Sequence, residues 1–250
     1  MIQLNWPLII VLFSLALPGV FIAIPRLVNF LLHKAQASMQ KRVNRIAVIQ
    51  SLLMIFVMTM AGSVLSRITG LGAPVIQTFL DSGDLGWPLL LDSLLPLFLF
   101  TAVGLFIFFA IYYGLLPSFL DKDTYQSMSQ LRSAVGLDGS MLYSGIAEEL
   151  IVRWGLVNLL VFFGILFIKA HHPMIVWIAI LLSSVLYAFS QLPVYVAVGC
   201  AFNRRLIYAL LLAYGWQGLL FGLIFWQYGI LAAMIAHMLF HLGWWVYQKP

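Results

Sequence analysis

Long apolar runs separated by short polar segments dominate the chain. Seven of these runs have roughly the 17–25 or more residues that a helix needs to cross a bilayer. A shorter apolar stretch, 193–202, is either a re-entrant piece or, with its neighbours, an eighth span. The pattern therefore predicts an all-α, polytopic helical membrane protein with about seven to eight transmembrane helices. The seven runs are Trp6–Phe30, Ala47–Leu65, Trp87–Leu116, Leu142–Ile168, Met174–Leu192, Leu206–Trp226 and Ile230–Tyr247.

The composition agrees with this fold class. Hydrophobic residues make up 63% of the 250 residues and charged residues only 8%. A soluble domain of this length carries far more charge, so residues 1–250 are predicted to form a single membrane domain in contact with the lipid bilayer.

Positively charged residues collect on one side of the predicted spans. Only Arg67 and Lys169 fall in loops on the opposite side. The positive-inside rule therefore predicts that the N-terminus lies outside and the C-terminus lies in the cytoplasm. A net charge of +5 placed in this way is typical of membrane orientation, and we expect no nucleic-acid partner. The residues of the positive side are Arg26, Lys34, Lys41, Arg42, Arg45, Lys122, Arg132, Arg204, Arg205 and Lys249.

Two shorter patterns predict local structure. Gly218 and Gly222 form a GxxxG pattern, which favours close helix packing, although such a pattern also arises by chance in a glycine-rich membrane protein. In the third loop, apolar residues at near-helical spacing predict an interfacial amphipathic helix over about Pro117–Val135. A solvated loop is the alternative for that segment.

The two glutamates of the chain, Glu148 and Glu149, are adjacent and lie inside the fourth predicted span. Ionisable groups at bilayer depth are costly and indicate a functional site. Neighbours on a helix point about 100° apart, so both carboxylates cannot face one reacting atom. Glu149 can pair with Arg153 at i, i+4 as a structural clamp, which leaves Glu148 unpaired on its own helix as a candidate base. The alternative is a purely structural Glu–Arg cluster.

The predicted topology brings further polar residues to the same depth. Glu148 and His241 each lie six residues from the cytoplasmic end of their spans, which is about 9 Å at 1.5 Å per residue. His237 lies one turn deeper on the face of His241, and Gln191 lies at the cytoplasmic end of the fifth span. We therefore predict a shared site in the inner half of the membrane.

Three segments resemble the motifs of the CPBP intramembrane proteases, which include the CAAX prenyl endopeptidases and the bacteriocin-processing and immunity proteins. Glu148–Arg153 resembles the EExxxR motif, Ser183–Gln191 resembles the second motif, usually FxxxH, and Gly218–Leu242 resembles the third, usually HxxxN or HxxxD. The resemblance implies a catalytic core at 141–247 preceded by helices and loops at 1–140. It also implies an endopeptidase of a bacterial inner membrane that acts on a peptide or lipidated protein near the cytoplasmic leaflet.

Two residues depart from the family pattern. Gln191 replaces the second-motif histidine, and His241 replaces the third-motif Asn or Asp. In the family, the first glutamate and that histidine are thought to activate water, and the third motif is thought to stabilise the oxyanion. Gln191 cannot take a proton, but His241 can supply an imidazole, so the sequence predicts a redistributed site with Glu148 as the base. The predicted catalytic set is Glu148, Glu149, Arg153, Gln191, His237 and His241.

Other function classes stay open. A pseudoprotease would keep the fold as a membrane scaffold or immunity-type protein, whereas a transporter would use the same residues to relay protons; the absence of an internal repeat disfavours the transporter. His237 and His241 also have the spacing of an HExxH zinc helix, with Glu148 as a third ligand, but Met238 stands where that motif has Glu. We expect a glutamate-type mechanism without a cofactor, and zinc is the alternative.

Overall fold

The structure is a computed structural model that describes residues 4–247, so Lys249 of the predicted positive side lies outside the described residues. The described residues form α-helices joined by short turns, together with three π-helical segments, and they contain no strand. The α-helices are α1 (Trp6–Leu31), α2 (Ala37–Thr69), α3 (Pro74–Ser82), α4 (Gly86–Phe109), α5 (Leu116–Phe119), α6 (Lys122–Gly139), α7 (Asn158–Ile168), α8 (Pro173–Ala197), α9 (Arg204–Tyr228) and α10 (Ile230–Tyr247). The π-helical segments are π1 (Ala110–Leu115), π2 (Ser140–Glu148) and π3 (Leu150–Val157).

Seven helical stretches within residues 4–247 are long and apolar enough to cross a membrane. The prediction of an all-α polytopic membrane protein is therefore confirmed. Helix α8 continues through Pro193 to Ala197, so the apolar stretch 193–202 forms no eighth span in the described chain. The stretches are Trp6–Leu31, Ala37–Thr69, Pro74–Phe119, Lys122–Ile168, Pro173–Ala197, Arg204–Tyr228 and Ile230–Tyr247.

The outer surface of the spans is apolar. Phe106 and Phe167 expose 75% and 81% of their surface, although a water-soluble protein would bury such side chains. A helix satisfies its own backbone hydrogen bonds, which is why it can present apolar side chains to lipid without cost to the main chain. The exposed faces are therefore suited to a lipid environment.

Helices α8 and α9 pack closely through the GxxxG pattern. A Cβ atom added to Gly218 would lie 2.6 Å from Ser184 Cβ, and one added to Gly222 would lie 2.7 Å from Ile180 Cγ2. Both distances are shorter than real carbon contacts allow, so only glycine fits at these two positions. The predicted close packing at this GxxxG is confirmed.

The predicted amphipathic helix is present but begins later than expected. It starts at Lys122 because Asp121 caps it, with the Asp121 carboxylate accepting a hydrogen bond from the Thr124 backbone N–H at 2.8 Å. Met128 and Leu131 lie on its buried face. The helix is interrupted at Gly136, where φ is 78°, a left-handed conformation that favours glycine and turns the chain into the next span.

The span that carries the two glutamates is π-helical rather than α-helical. Segments π2 and π3 meet at Glu149, so the wide turns occupy the whole Glu148–Arg153 motif. The α-helical geometry used to predict the directions of these side chains is therefore wrong for this segment. The π segments pack against α1, α2, α8 and α10, which places the motif at the centre of the bundle. Short π-helical segments are rare in proteins, and those that occur are often found at functional sites.

Candidate active site

One cavity of about 370 Å³ opens between the helices beside the glutamate motif. Glu148 of π2, Gln191 of α8 and His241 of α10 all line it. These three residues come from the three motifs identified in the sequence, and they lie far apart in the chain. The cavity volume is in the range of ordinary ligand pockets. The fold therefore brings one polar residue of each motif to a single cavity.

The Glu148 carboxylate faces this cavity and has a partner on a neighbouring helix. The Tyr187 hydroxyl donates a hydrogen bond to Glu148 Oε2 at 2.7 Å. The Ser144 hydroxyl of the same segment π2 also donates a hydrogen bond to Glu148, so the expectation that Glu148 is unpaired on its own helix is wrong, although neither partner is charged. Tyr187 stands four residues before Gln191, where the FxxxH motif has phenylalanine, so the motif alignment contained a signal for a ring but not for its hydroxyl.

Glu149 points away from the cavity into a buried polar cluster. Its Oε1 lies 3.4 Å from Arg153 Nη1 and 2.7 Å from His237 Nδ1, and none of the three side chains exposes more than 1% of its surface. Arg153 Nη2 also donates to the Gln217 carbonyl at 3.3 Å. The predicted Glu149–Arg153 pair is present, and His237 is an additional member that the sequence did not connect to it.

The buried cluster also contacts residues that line the cavity. The guanidinium of Arg153 lies 5.0 Å from the centre of the Tyr187 ring, and Tyr187 in turn bonds Glu148. His237 stacks on His241 with the ring centres 4.9 Å apart and an interplanar angle of 17°. Arg153 therefore supports Glu148 through Tyr187, and His237 supports His241.

His241 belongs to a column of stacked rings. Its ring lies between those of His237 and Trp244, and the centres of His241 and Trp244 are 6.2 Å apart with an interplanar angle of 18°. The column also includes Phe221, whose ring stacks on that of His237 with the ring centres 4.0 Å apart. Neither ring nitrogen of His241 has a hydrogen-bond partner among the described residues, although both are buried. The column therefore fixes the plane of an imidazole whose two nitrogens are not engaged by another described residue.

Sequence reasoning missed several residues of the cavity wall. Tyr195 and Tyr214 share a hydrogen bond between their hydroxyls, and both line the cavity. Arg132 lies in the same wall, and its guanidinium carbon is 3.3 Å from the centre of the Trp244 ring. The first contact joins the consecutive helices α8 and α9, the second joins α6 and α10, and no local pattern predicts either.

The proposed zinc set does not assemble as a group of ligands. Among residues 4–247 no three His, Cys, Asp or Glu side chains lie together as a metal site requires. His237 Nδ1 is directed at Glu149, and His237 does not line the cavity that contains Glu148 and His241. Glu148, His237 and His241 therefore do not fit a zinc ion in this arrangement.

One known family matches part of the chain. Residues 132–243 match the family model described as type II CAAX prenyl endopeptidase Rce1-like. This segment contains all three motifs and most of the polar residues that line the cavity, among them Glu148, Gln191 and His241. The match confirms the resemblance to the CPBP and CAAX proteases, and it supports a CAAX-type intramembrane protease in general. No curated protein and no solved structure matches the chain.

The buried cluster predicts a loss of stability when its acid is removed. Glu149→Ala leaves the Arg153 guanidinium buried without its counter-charge, which costs about 3–5 kcal/mol for a buried pair broken on one side. We expect low yield and a strongly lowered melting temperature in detergent. Glu148→Gln is the matched control, because it changes the neighbouring carboxylate on the cavity side and should melt close to wild type. Normal yield and melting of Glu149→Ala would contradict the structural role.

Proposed function

We propose that the protein is an intramembrane endopeptidase that hydrolyses a peptide bond of a membrane-associated, prenylated or leader-bearing substrate near the cytoplasmic leaflet. The observation that carries this proposal is the meeting of Glu148, Gln191 and His241 in one cavity. Peptide hydrolysis requires a base for water and donors for the charge that develops on the carbonyl oxygen, and these residues supply both. The predicted orientation, with the N-terminus outside, puts this cavity in the inner half of the membrane.

Glu148 is the group proposed to activate water. The bond from the Tyr187 hydroxyl orients its carboxylate toward the cavity. In the proposed reaction Glu148 takes a proton from a water molecule while the water oxygen attacks the carbonyl carbon. The carbonyl oxygen becomes the oxyanion of a tetrahedral intermediate, and Glu148 then returns the proton to the leaving amine. Tyr187 acts through Glu148 and is therefore a positioning residue.

His241 and Gln191 are the proposed donors to the oxyanion. The Gln191 amide can donate from its nitrogen, and a neutral His241 ring can donate from whichever nitrogen carries the proton. The stacking of His241 between His237 and Trp244 limits rotation of its ring out of the stacking plane, which reduces the reorganisation needed when charge develops. This placement supports a redistributed site, in which the imidazole at 241 compensates for the absence of one at 191.

The buried cluster is proposed to support the reaction without touching the substrate. Glu149 accepts a hydrogen bond from His237, and the His237 ring stacks on the His241 ring. Glu149 and His237 together therefore set the position of one oxyanion donor. Arg153 lies against Tyr187, which positions the base. Glu149, Arg153 and His237 therefore belong to the predicted catalytic set as positioning residues.

Gln191 also favours a second candidate, a pseudoprotease that keeps the fold as a scaffold or immunity-type protein. At the position where the family has a histidine, an amide cannot act as a base that takes a proton from water. The two functions differ in whether the purified wild-type protein has any hydrolytic activity.

Replacing the base tests the proposal directly. Glu148→Gln keeps the shape of the side chain but cannot accept a proton, so hydrolysis of a farnesylated peptide in liposomes should fall by about 100-fold or more. Folding should be retained. Asp92→Asn is the control, because it makes the same chemical change at an exposed carboxylate of α4 outside the cavity. Hydrolysis by Glu148→Gln at the wild-type rate would show that Glu148 is not the base.

Exchange of residues between the second and third motifs tests the redistribution. His241→Asn alone should be as damaging as Glu148→Gln, since it removes the cavity imidazole. The double change Gln191→His with His241→Asn restores the family pattern and should keep or raise activity.

Full activity in His241→Asn would contradict the redistribution, and a wild type that is inactive toward every peptide tried would favour the pseudoprotease. The same assay with a chelator examines the metal question. Loss of activity on chelation and recovery with zinc would replace the metal-free mechanism.

A further inference from the structure

The cavity wall contains a guanidinium that has no acidic partner. Arg132 of α6 lines the cavity, whereas the arginine–carboxylate ion pairs found among residues 4–247 are Arg26–Asp138 and Arg153–Glu149. Arg132 Nη1 is buried and has no hydrogen-bond partner among the described residues. Arg132 as a whole is half-buried, and a partly desolvated charge without a counter-charge carries a cost, so this position calls for a reason other than stability.

Aromatic contacts fix the orientation of this guanidinium. Its carbon lies 3.3 Å from the centre of the Trp244 ring, a cation–π contact that occupies one face of the group. The Trp244 ring is itself held by the hydrogen bond from its Nε1 to the Tyr113 hydroxyl at 2.9 Å. Because the guanidinium is planar and its donors point outward from its edge, a contact on the face leaves the edge to polar partners. This guanidinium donates a hydrogen bond to the Tyr113 hydroxyl, and Nη1 is the nitrogen that has no partner among the described residues.

The chemistry of an available guanidinium edge selects a planar anion. Arginine binds carboxylates through two parallel N–H···O bonds, and charge-assisted pairs of this kind are stronger than neutral hydrogen bonds. Glu148 is the only acidic side chain among the residues that line the cavity, and it is bonded to Tyr187. An incoming anion would be repelled by Glu148 and attracted by Arg132, so a substrate with one negative end has a defined direction in the cavity.

We propose that Arg132 is the specificity residue that binds the free C-terminal carboxylate of the peptide substrate. The inference rests on the proposed function, because it takes the ligand of this cavity to be a peptide. Trp244 stacks on both Arg132 and His241, so the carboxylate site lies one ring away from a proposed oxyanion donor. The bound chain end at Arg132 would therefore orient a nearby peptide bond toward Glu148 and His241. A lipid phosphate has related chemistry, and the experiment distinguishes it.

The test compares two peptides that differ only at the chain end. A fluorescent farnesylated peptide with a free carboxylate and the same peptide with a C-terminal amide are titrated into the protein in neutral phosphatidylcholine nanodiscs. The Glu148→Gln background prevents turnover during binding. Hydrogen bonds to a charged group contribute about 1.5–3 kcal/mol, so the carboxylate peptide should bind roughly 10- to 100-fold more tightly than the amide.

Variants of Arg132 then assign the preference to this residue. Arg132→Gln should reduce the ratio of the two affinities to about one by weakening only the carboxylate peptide, and Arg132→Lys should keep an intermediate ratio because it keeps the charge without the planar fork. Arg204→Gln, which neutralises an exposed arginine outside the cavity, should leave the ratio unchanged. If Arg132→Gln does not fold, the comparison of the two peptides on the parent protein and on Arg132→Lys still decides.

Three results would overturn the proposal. The first is equal affinity of the two peptides for the parent protein. The second is an equal loss of both affinities in Arg132→Gln, which would indicate a structural role. The third is displacement of both peptides by phosphatidylglycerol that depends on Arg132, which would assign the site to a lipid phosphate. A carboxylate preference in a protein that hydrolyses neither peptide would support the binding site while contradicting the proposed protease activity.

Discussion

The buried pair of Glu149 and Arg153 is the interaction on which the rest of the site depends. Its charges are fully enclosed, so each needs the other, and the pair also holds His237 at 2.7 Å from the carboxylate. From this cluster, contacts run in two directions toward the cavity. Arg153 lies against Tyr187, whose hydroxyl donates a hydrogen bond to Glu148, and the His237 ring stacks on the ring of His241. A structural ion pair thus positions both the proposed base and a proposed oxyanion donor.

The adjacency of the two glutamates is what makes this division possible. Consecutive residues on a helical segment point in different directions, so one carboxylate can be sealed in the protein while the next faces a cavity. Glu149 is fully buried, whereas Glu148 lies in the cavity wall with Gln191 and His241. An unpaired carboxylate within the bundle would be hard to sustain at bilayer depth, and the hydroxyl of Tyr187 reduces that cost for Glu148.

Much of the fold could be predicted because the bilayer imposes a simple requirement on sequence. Apolar runs long enough to cross it identified the seven spans, and the close approach of α9 to α8 followed from Gly218 and Gly222. The π-helical form of Ser140–Val157 could not be predicted, since no local residue preference distinguishes it from an α-helix. The ion pair of Glu149 with Arg153 was predicted from the i, i+4 spacing of the two residues. The contact of His237 with Glu149 could not be predicted, because it depends on how α10 packs against the motif.

The contacts between side chains of different helices are the part of the site that could not be predicted from the sequence. Tyr187, Trp244 and Arg132 act through contacts with residues distant in the chain, and these contacts exist only once the helices are packed. The matched family segment begins at Arg132, ahead of the core predicted at 141–247, so it includes Arg132 and Val135 of the cavity wall but not Met128 and Leu131. The predicted boundary between N-terminal helices and core remains a prediction.

Selective chemical labelling of the two neighbouring glutamates tests the central claim most directly. Dicyclohexylcarbodiimide, an apolar reagent for carboxyl groups in membranes, is applied to the folded protein in liposomes, and the modified residue is located by fragmentation mass spectrometry. Because Glu148 faces the cavity and Glu149 is sealed with Arg153 and His237, the adduct should form on Glu148 with little on Glu149. Equal labelling of both residues, or labelling of Glu149 alone, would contradict the division of roles between them.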